Sequence, residues 1–153
     1  MKKISLIIIV FVLLLVTGCT NTPKNTKKLI CTRTITQSET NTTINLKYEV
    51  YYDKNEYVVK SVSNEKVESS SLETLGTYQK AFEEAGSMYD SKYASNTVSL
   101  NGNTLIALTT IDYTKLTQED ASKFNGESMF ESNGKVKLST LKEAYESQGT
   151  KCE

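Results

Sequence analysis

Three Ser-x-x-Lys tetrads stand in this chain of 153 residues: Ser63-Asn-Glu-Lys66, Ser132-Asn-Gly-Lys135 and Ser139-Thr-Leu-Lys142. In active-site-serine acyl enzymes that spacing lets a lysine take part in activating the hydroxyl. With 16 serines and 17 lysines, chance alone supplies about two such matches, and the accompanying Ser-Asp-Asn and Lys-Thr-Gly elements are missing. Ser139 reads instead as a helix N-cap. The chain has no histidine, which removes Ser-His-Asp and Cys-His arrangements, imidazole metal sites and the commonest general base. No G-x-S-x-G, P-loop or Rossmann glycine pattern occurs. Glu83-Glu84 and Glu119-Asp120 could serve a glycosidase only if paired across a cleft. Neighbours on a helix diverge, so both read as solvated faces. Asp53-Lys54-Asn55 opens like a calcium loop but lacks the sixth-position glycine and the closing glutamate, and reads as a turn. No catalytic residue, metal site or dissociable cofactor is predicted, and the expectation is a protein that is not an enzyme.

The cysteines are more informative. Lys2 and Lys3 precede an apolar run, Ile4 to Val16, of 13 residues. At about 1.5 Å per residue that run is too short for a bilayer core of about 30 Å. Basic start, apolar middle and small-residue end have the order of a secretory signal. Val16-Thr17-Gly18-Cys19 resembles the lipobox of bacterial lipoproteins. That resemblance implies a diacylglyceryl group on the Cys19 thiol, removal of residues 1–18, and anchoring on the extracytoplasmic face of the cell membrane. Two acyl chains suffice for stable anchoring. Residues 19–28 are polar, contain the chain's one proline, Pro23, and read as a tether. Cys31 and Cys152 flank the remaining domain, 29–153, and outside the cytoplasm an even pair predicts a disulfide. Cys-x-x-Cys, the redox-enzyme spacing, does not occur.

Cleavage would leave 16 basic against 18 acidic residues, a net charge of −2, with Arg33 the sole arginine. Nucleic-acid binders carry a clustered basic footprint, so nucleic acid is excluded as a partner. About 125 residues suit one domain with its own core.

Which elements would present a surface? Thr43 to Tyr52 alternates: Ile44, Leu46, Tyr48 and Val50 face one side, Lys47, Glu49 and Tyr51 the other. A two-residue turn at Lys54-Asn55 would pair Tyr52 with Tyr57 and set Glu49 opposite Lys60. An earlier strand covers Leu29 to Thr36. Ser70-x-x-Glu73 reads as a capping box before a helix with Leu72, Leu75, Phe82, Ala85 and Tyr89 on one stripe. Asn101-Gly102 predicts a second hairpin within Thr97–Ile111. Thr117 caps a short acidic helical turn, and a last helix with Leu138, Leu141 and Tyr145 is closed by Gly149. Strands, helix, hairpin, short helices: the order predicts an α+β fold, an antiparallel sheet of about five strands with helices packed on one face.

The lipobox, the tyrosine-rich hairpin Tyr48-x-x-Tyr51-Tyr52-Asp53 ending in Val59-Lys60, the long helix, Thr109-Thr-Ile-Asp112-Tyr113 and the Gly149-closed helix together resemble the YehR-like bacterial lipoproteins over residues 40–150. The resemblance implies that architecture and no established activity. The expected role is a lipid-anchored binding or interaction module of the cell envelope. Its candidate surface is the outer side of the first hairpin, with Asn45, Lys47, Glu49, Tyr51, Val58 and Lys60. Tyrosine among adaptable polar groups suits a peptide, glycan or protein partner. The alternatives are a small cell-wall-acting enzyme and an accessory or inhibitory lipoprotein.

Overall fold

The computed structural model describes residues 23–124 and 126–153. The expected signal peptide and Cys19 lie outside the described residues. Among the described residues no helix is long and apolar enough to cross a membrane.

The elements are β1 (Lys27–Gln37), β2 (Thr42–Tyr52), β3 (Val58–Ser69), α1 (Leu72–Ser87), β4 (Ala94–Asn101), β5 (Thr104–Asp112), α2 (Gln118–Ser122), a 3-10 turn (Glu127–Met129), α3 (Leu138–Ser147) and β6 (Lys151–Cys152). They build one sheet in the order β4-β5-β3-β2-β1-β6, with every neighbouring pair antiparallel. The α+β class is as expected, but the sheet has six strands rather than five. The sixth is two residues long, too short to leave a period in the sequence. β1 also begins at Lys27, inside the stretch read as tether.

The β2–β3 register departs from expectation. Asp53 Oδ1 accepts from the amides of Asn55 and Tyr57, both at 2.9 Å, and Glu56 takes a left-handed φ of 61°. The turn is therefore wider than two residues, and a bulge between Tyr51 and Tyr52 absorbs the difference. Tyr51 pairs with Lys60, and Glu49 faces Val62 rather than Lys60. The bulge turns Val58 inward, where it is 5% exposed, so it does not belong to the outer surface. In the second hairpin Asn101 pairs with Thr104, which leaves Gly102-Asn103 as the turn, with Gly102 at φ 56°.

Two caps also move. Ser71, not Ser70, caps α1 and accepts from the Thr74 amide at 3.2 Å. α3 starts at Leu138 after Lys137, with no side-chain cap, so Ser139 lies inside the first turn and caps nothing. Thr117 does cap α2. Gly149, at φ 83°, ends the last helical segment and turns the chain into β6.

α1 and α3 lie on the same face of the sheet and cover different ends of it. Under α1, Ile44, Val67, Leu75 and Leu105 form a buried cluster joined by Leu46, Phe82 and Val98. Under α3, Val50, Val58, Val136 and Leu141 form a second cluster joined by Leu29, Tyr113 and Tyr145. The sheet between them is polar.

Candidate functional site

The inward positions of the three central strands show how that polar band arises. β2 reads Ile44, Leu46, Tyr48, Val50; β3 reads Val67, Glu65, Ser63, Ser61 opposite them; β5 reads Leu105, Ala107, Thr109, Ile111 opposite those. Apolar residues fill the first row, polar ones follow on β3, and Ala107 and Thr109 follow on β5 before Ile111. A cavity of about 190 Å³ lies over this band, between the sheet and the facing surfaces of α1 and α3. Its lining includes Tyr48, Ser61, Ser63, Glu65, Tyr89, Asn96, Thr109 and Tyr145.

Each wall has a local cause. Tyr48 stacks on Tyr145 of α3, ring centroids 4.4 Å apart and planes 6° from parallel. Tyr89 meets Phe124 edge to face, centroids 5.4 Å apart. Asn96 donates to the Phe82 carbonyl at 3.4 Å and accepts from Thr109 Oγ1 at 2.7 Å. That wall requires Gly86: a Cβ there would come 2.6 Å from Asn96 Cγ. Only glycine lets the end of α1 approach β4 this closely.

Glu65 is the charged group of the recess. It accepts from Ser63 Oγ at 3.0 Å. Among the described residues no ion pair reaches it. Burial raises its carboxyl above the ordinary carboxylate range, partly opposed by the Ser63 bond. Burial, and then the Glu65 charge, push the Tyr48 hydroxyl up to about 12, with Arg33 opposing. Tyr89 is raised by the same two causes in the same order. Tyr145 is raised chiefly by burial.

The four residues expected to form a binding face do come together on the opposite side of the sheet. They are already engaged with one another. Tyr51 Oη donates to Glu49 Oε2 at 2.8 Å. Lys47 Nζ lies 2.8 Å and Lys28 Nζ 3.6 Å from Glu49 Oε1. Lys60 Nζ stands 5.8 Å from the Tyr51 ring centroid. Tyr51 is only 6% exposed, and its hydroxyl is pushed up to about 12 by burial and then by the Glu49 bond. A ring expected to offer contact area is instead almost wholly buried.

Among the described residues no serine–lysine tetrad joins its serine hydroxyl to its lysine, and Lys135 Nζ instead stands 5.1 Å from the Tyr57 ring centroid. On β3, Ser63 faces the recess, and Lys66, an odd number of residues later, faces outward to Glu68 at 2.8 Å. Lys142 on α3 pairs with Glu146 at 3.7 Å. Of the acidic pairs, Asp120 is not solvated as expected. It is 5% exposed and held by Lys92 Nζ at 2.9 Å and Thr117 Oγ1 at 2.7 Å. A lysine 28 residues away in sequence supplies that partner. Cys31 and Cys152 are joined by a disulfide, with Cα atoms 4.0 Å apart. They pair across β1 and β6, and the flanking Ile30 and Glu153 exchange both backbone bonds at 2.9 and 3.0 Å. The cysteines thus occupy a non-hydrogen-bonded pair, where antiparallel strands come closest.

No protein-family model and no curated protein matches the chain. Its fold is similar to that of the Escherichia coli YehR protein. The NMR structure of YehR superposes with a TM-score of 0.54 at 15% identity, covering 83% of this chain and 91% of YehR. At that identity the likeness is one of fold, and it agrees with the architecture that the sequence resemblance implied.

Proposed function

We propose that this chain is a lipid-anchored binding module of the cell envelope, and that its ligand enters the recess between the two apolar cores. The observation that carries the reading is the polar band of Ser61, Ser63, Glu65, Asn96 and Thr109 on the core-facing side of the sheet. Polar groups at inward positions cost stability unless they are hydrogen-bonded. A fold selected for stability alone would run one apolar cluster from α1 to α3. Interrupting the core with a half-buried carboxylate is the kind of local inconsistency expected at functional sites. The lipobox-like Val16-Thr17-Gly18-Cys19 and the polar residues after it support tethering, with the domain facing outward from the membrane. Without histidine or an assembled nucleophile, the recess is better suited to holding a molecule than to transforming one.

The test uses the full chain extracted from membranes and examined by native mass spectrometry after exposure to a small-molecule extract of the envelope. Wild type should retain an added mass, and Ala107→Phe, which fills the recess, should not. Loss of any added mass from wild type, or equal retention by both, contradicts the reading. Cys19→Ala should move the protein out of the membrane fraction, and persistence there at mature size contradicts the anchor.

A further inference from the structure

We propose that the recess binds a small organic cation carrying an ammonium group, with Glu65 as its counter-ion and tyrosine rings as its cage. This rests on the reading above that the recess is a ligand site, and it adds the ligand's chemical class.

Charge comes first. Among the described residues Glu65 is the one acidic group lining the cavity, and no lysine or arginine lines it. The remaining polar lining is hydroxyl and amide. Such a site repels carboxylates and phosphates and favours a positive group. Among the described residues Glu65 has one side-chain hydrogen bond, from Ser63 at 3.0 Å, although an ionised carboxylate offers about four acceptor positions. A half-buried carboxylate is stabilised in its ionised form by an opposite charge, and no cation of the described residues pairs with it. An ammonium entering the recess would supply that partner.

Aromatic groups come second. Tyr48, Tyr89 and Tyr145 line the same cavity. Aromatic ring faces attract alkylammonium groups more strongly as water is excluded, which is how aromatic cages hold quaternary ammonium ligands; the stacked Tyr48 and Tyr145 each keep one face uncovered by the other. Stacking of Tyr48 on Tyr145 at 4.4 Å holds both rings in place before a ligand arrives, so little ordering is required on binding. Size comes third. At about 190 Å³ the cavity is below the roughly 300–1,000 Å³ of sites for drug-sized molecules, so the occupant is a small amine or a headgroup rather than a nucleotide.

The experiment titrates the full-length chain, purified in a maltoside detergent, with choline and separately with dimethylbutanol, in which carbon replaces the nitrogen. Isothermal calorimetry should give choline an affinity about tenfold or more above that of dimethylbutanol. Glu65→Gln should lower the choline affinity and shrink that preference, the remainder coming from the tyrosine rings. Tyr89→Leu, which keeps Glu65, should weaken choline more than dimethylbutanol, and thermal melts establish that each variant is folded. If both probes bind equally and Glu65→Gln changes nothing, the cation assignment is overturned while the recess remains a ligand site. If choline does not bind wild type, the assignment is likewise overturned, and the extract measurement alone decides whether the recess binds anything.

Discussion

Reducing the Cys31–Cys152 bond should weaken the fold by an amount that follows from its span. The two residues are 121 apart in sequence, so the bond closes a loop around almost the whole domain. In the chain-entropy treatment a closed loop of that length removes about 5 kcal/mol of disorder from the unfolded chain. Residual structure in the unfolded state lowers the figure, and the expected loss is about 3–5 kcal/mol, a large share of the roughly 5–15 kcal/mol available to a domain. Little else holds the last strand, since β6 is two residues long. Alanine is the replacement to use at Cys31, which is fully buried, because serine would bury an unpartnered hydroxyl. The assay is urea unfolding followed by the emission of the nine tyrosines, the chain having no tryptophan. Reduced wild type and Cys31→Ala/Cys152→Ala should lose similar stability, and both should show a larger m-value as the unfolded chain expands. A loss under about 1 kcal/mol with complete reduction would refute the loop argument. Labelling of both thiols in unreduced, natively secreted protein would show that the bond does not form there.

Leu75→Ala removes a fully buried side chain from the cluster under α1, and should cost about 2–5 kcal/mol in the same assay. Glu65→Gln should raise the melting temperature at neutral pH in the absence of ligand. The folded-state carboxyl is raised, so wild type loses stability as pH climbs from the ordinary glutamate value through the folded one, and the variant escapes that loss. The two melting curves should converge below about pH 4; a variant less stable at pH 7 would contradict the unpaired-carboxylate argument. Asp120 behaves oppositely. Its carboxyl is held well below the ordinary value by Thr117 and then Lys92, so its contribution is present above about pH 4 and is lost as pH falls. Asp120→Asn should be less stable than wild type at neutral pH, and the gap should shrink on acidification.

How far the sequence could be read depended on whether each feature repeats within a few residues. β2 and β5 carry unbroken alternation or an apolar run, and Ser71, Thr117 and Gly149 are short-range signals read to within a residue. β6 has no period to detect. The register of the first hairpin turned on a left-handed Glu56 and a bulge at Tyr51, neither of which a two-residue turn rule anticipates. The recess was missed for a related reason. From Ser61 to Ser69 only Val62 and Val67 are apolar, and an odd spacing puts them on opposite faces, so no period marks the strand beyond Val62. Inward placement of Ser61, Ser63 and Glu65 becomes visible only once their partners on β2 and β5 are known. Alternation puts Lys47, Glu49 and Tyr51 on one outer face, but the reach of Lys28 from β1 to Glu49 follows only from the strand pairing.

Proximity of a ligand to particular tyrosine rings tests the central claim most directly. In NMR spectra of the full chain with choline, nuclear Overhauser contacts between the choline methyl protons and ring protons should appear at Tyr48, Tyr89 and Tyr145, which line the recess. Contacts to Tyr51 on the opposite face of the sheet instead, or to no tyrosine at all, would contradict the account.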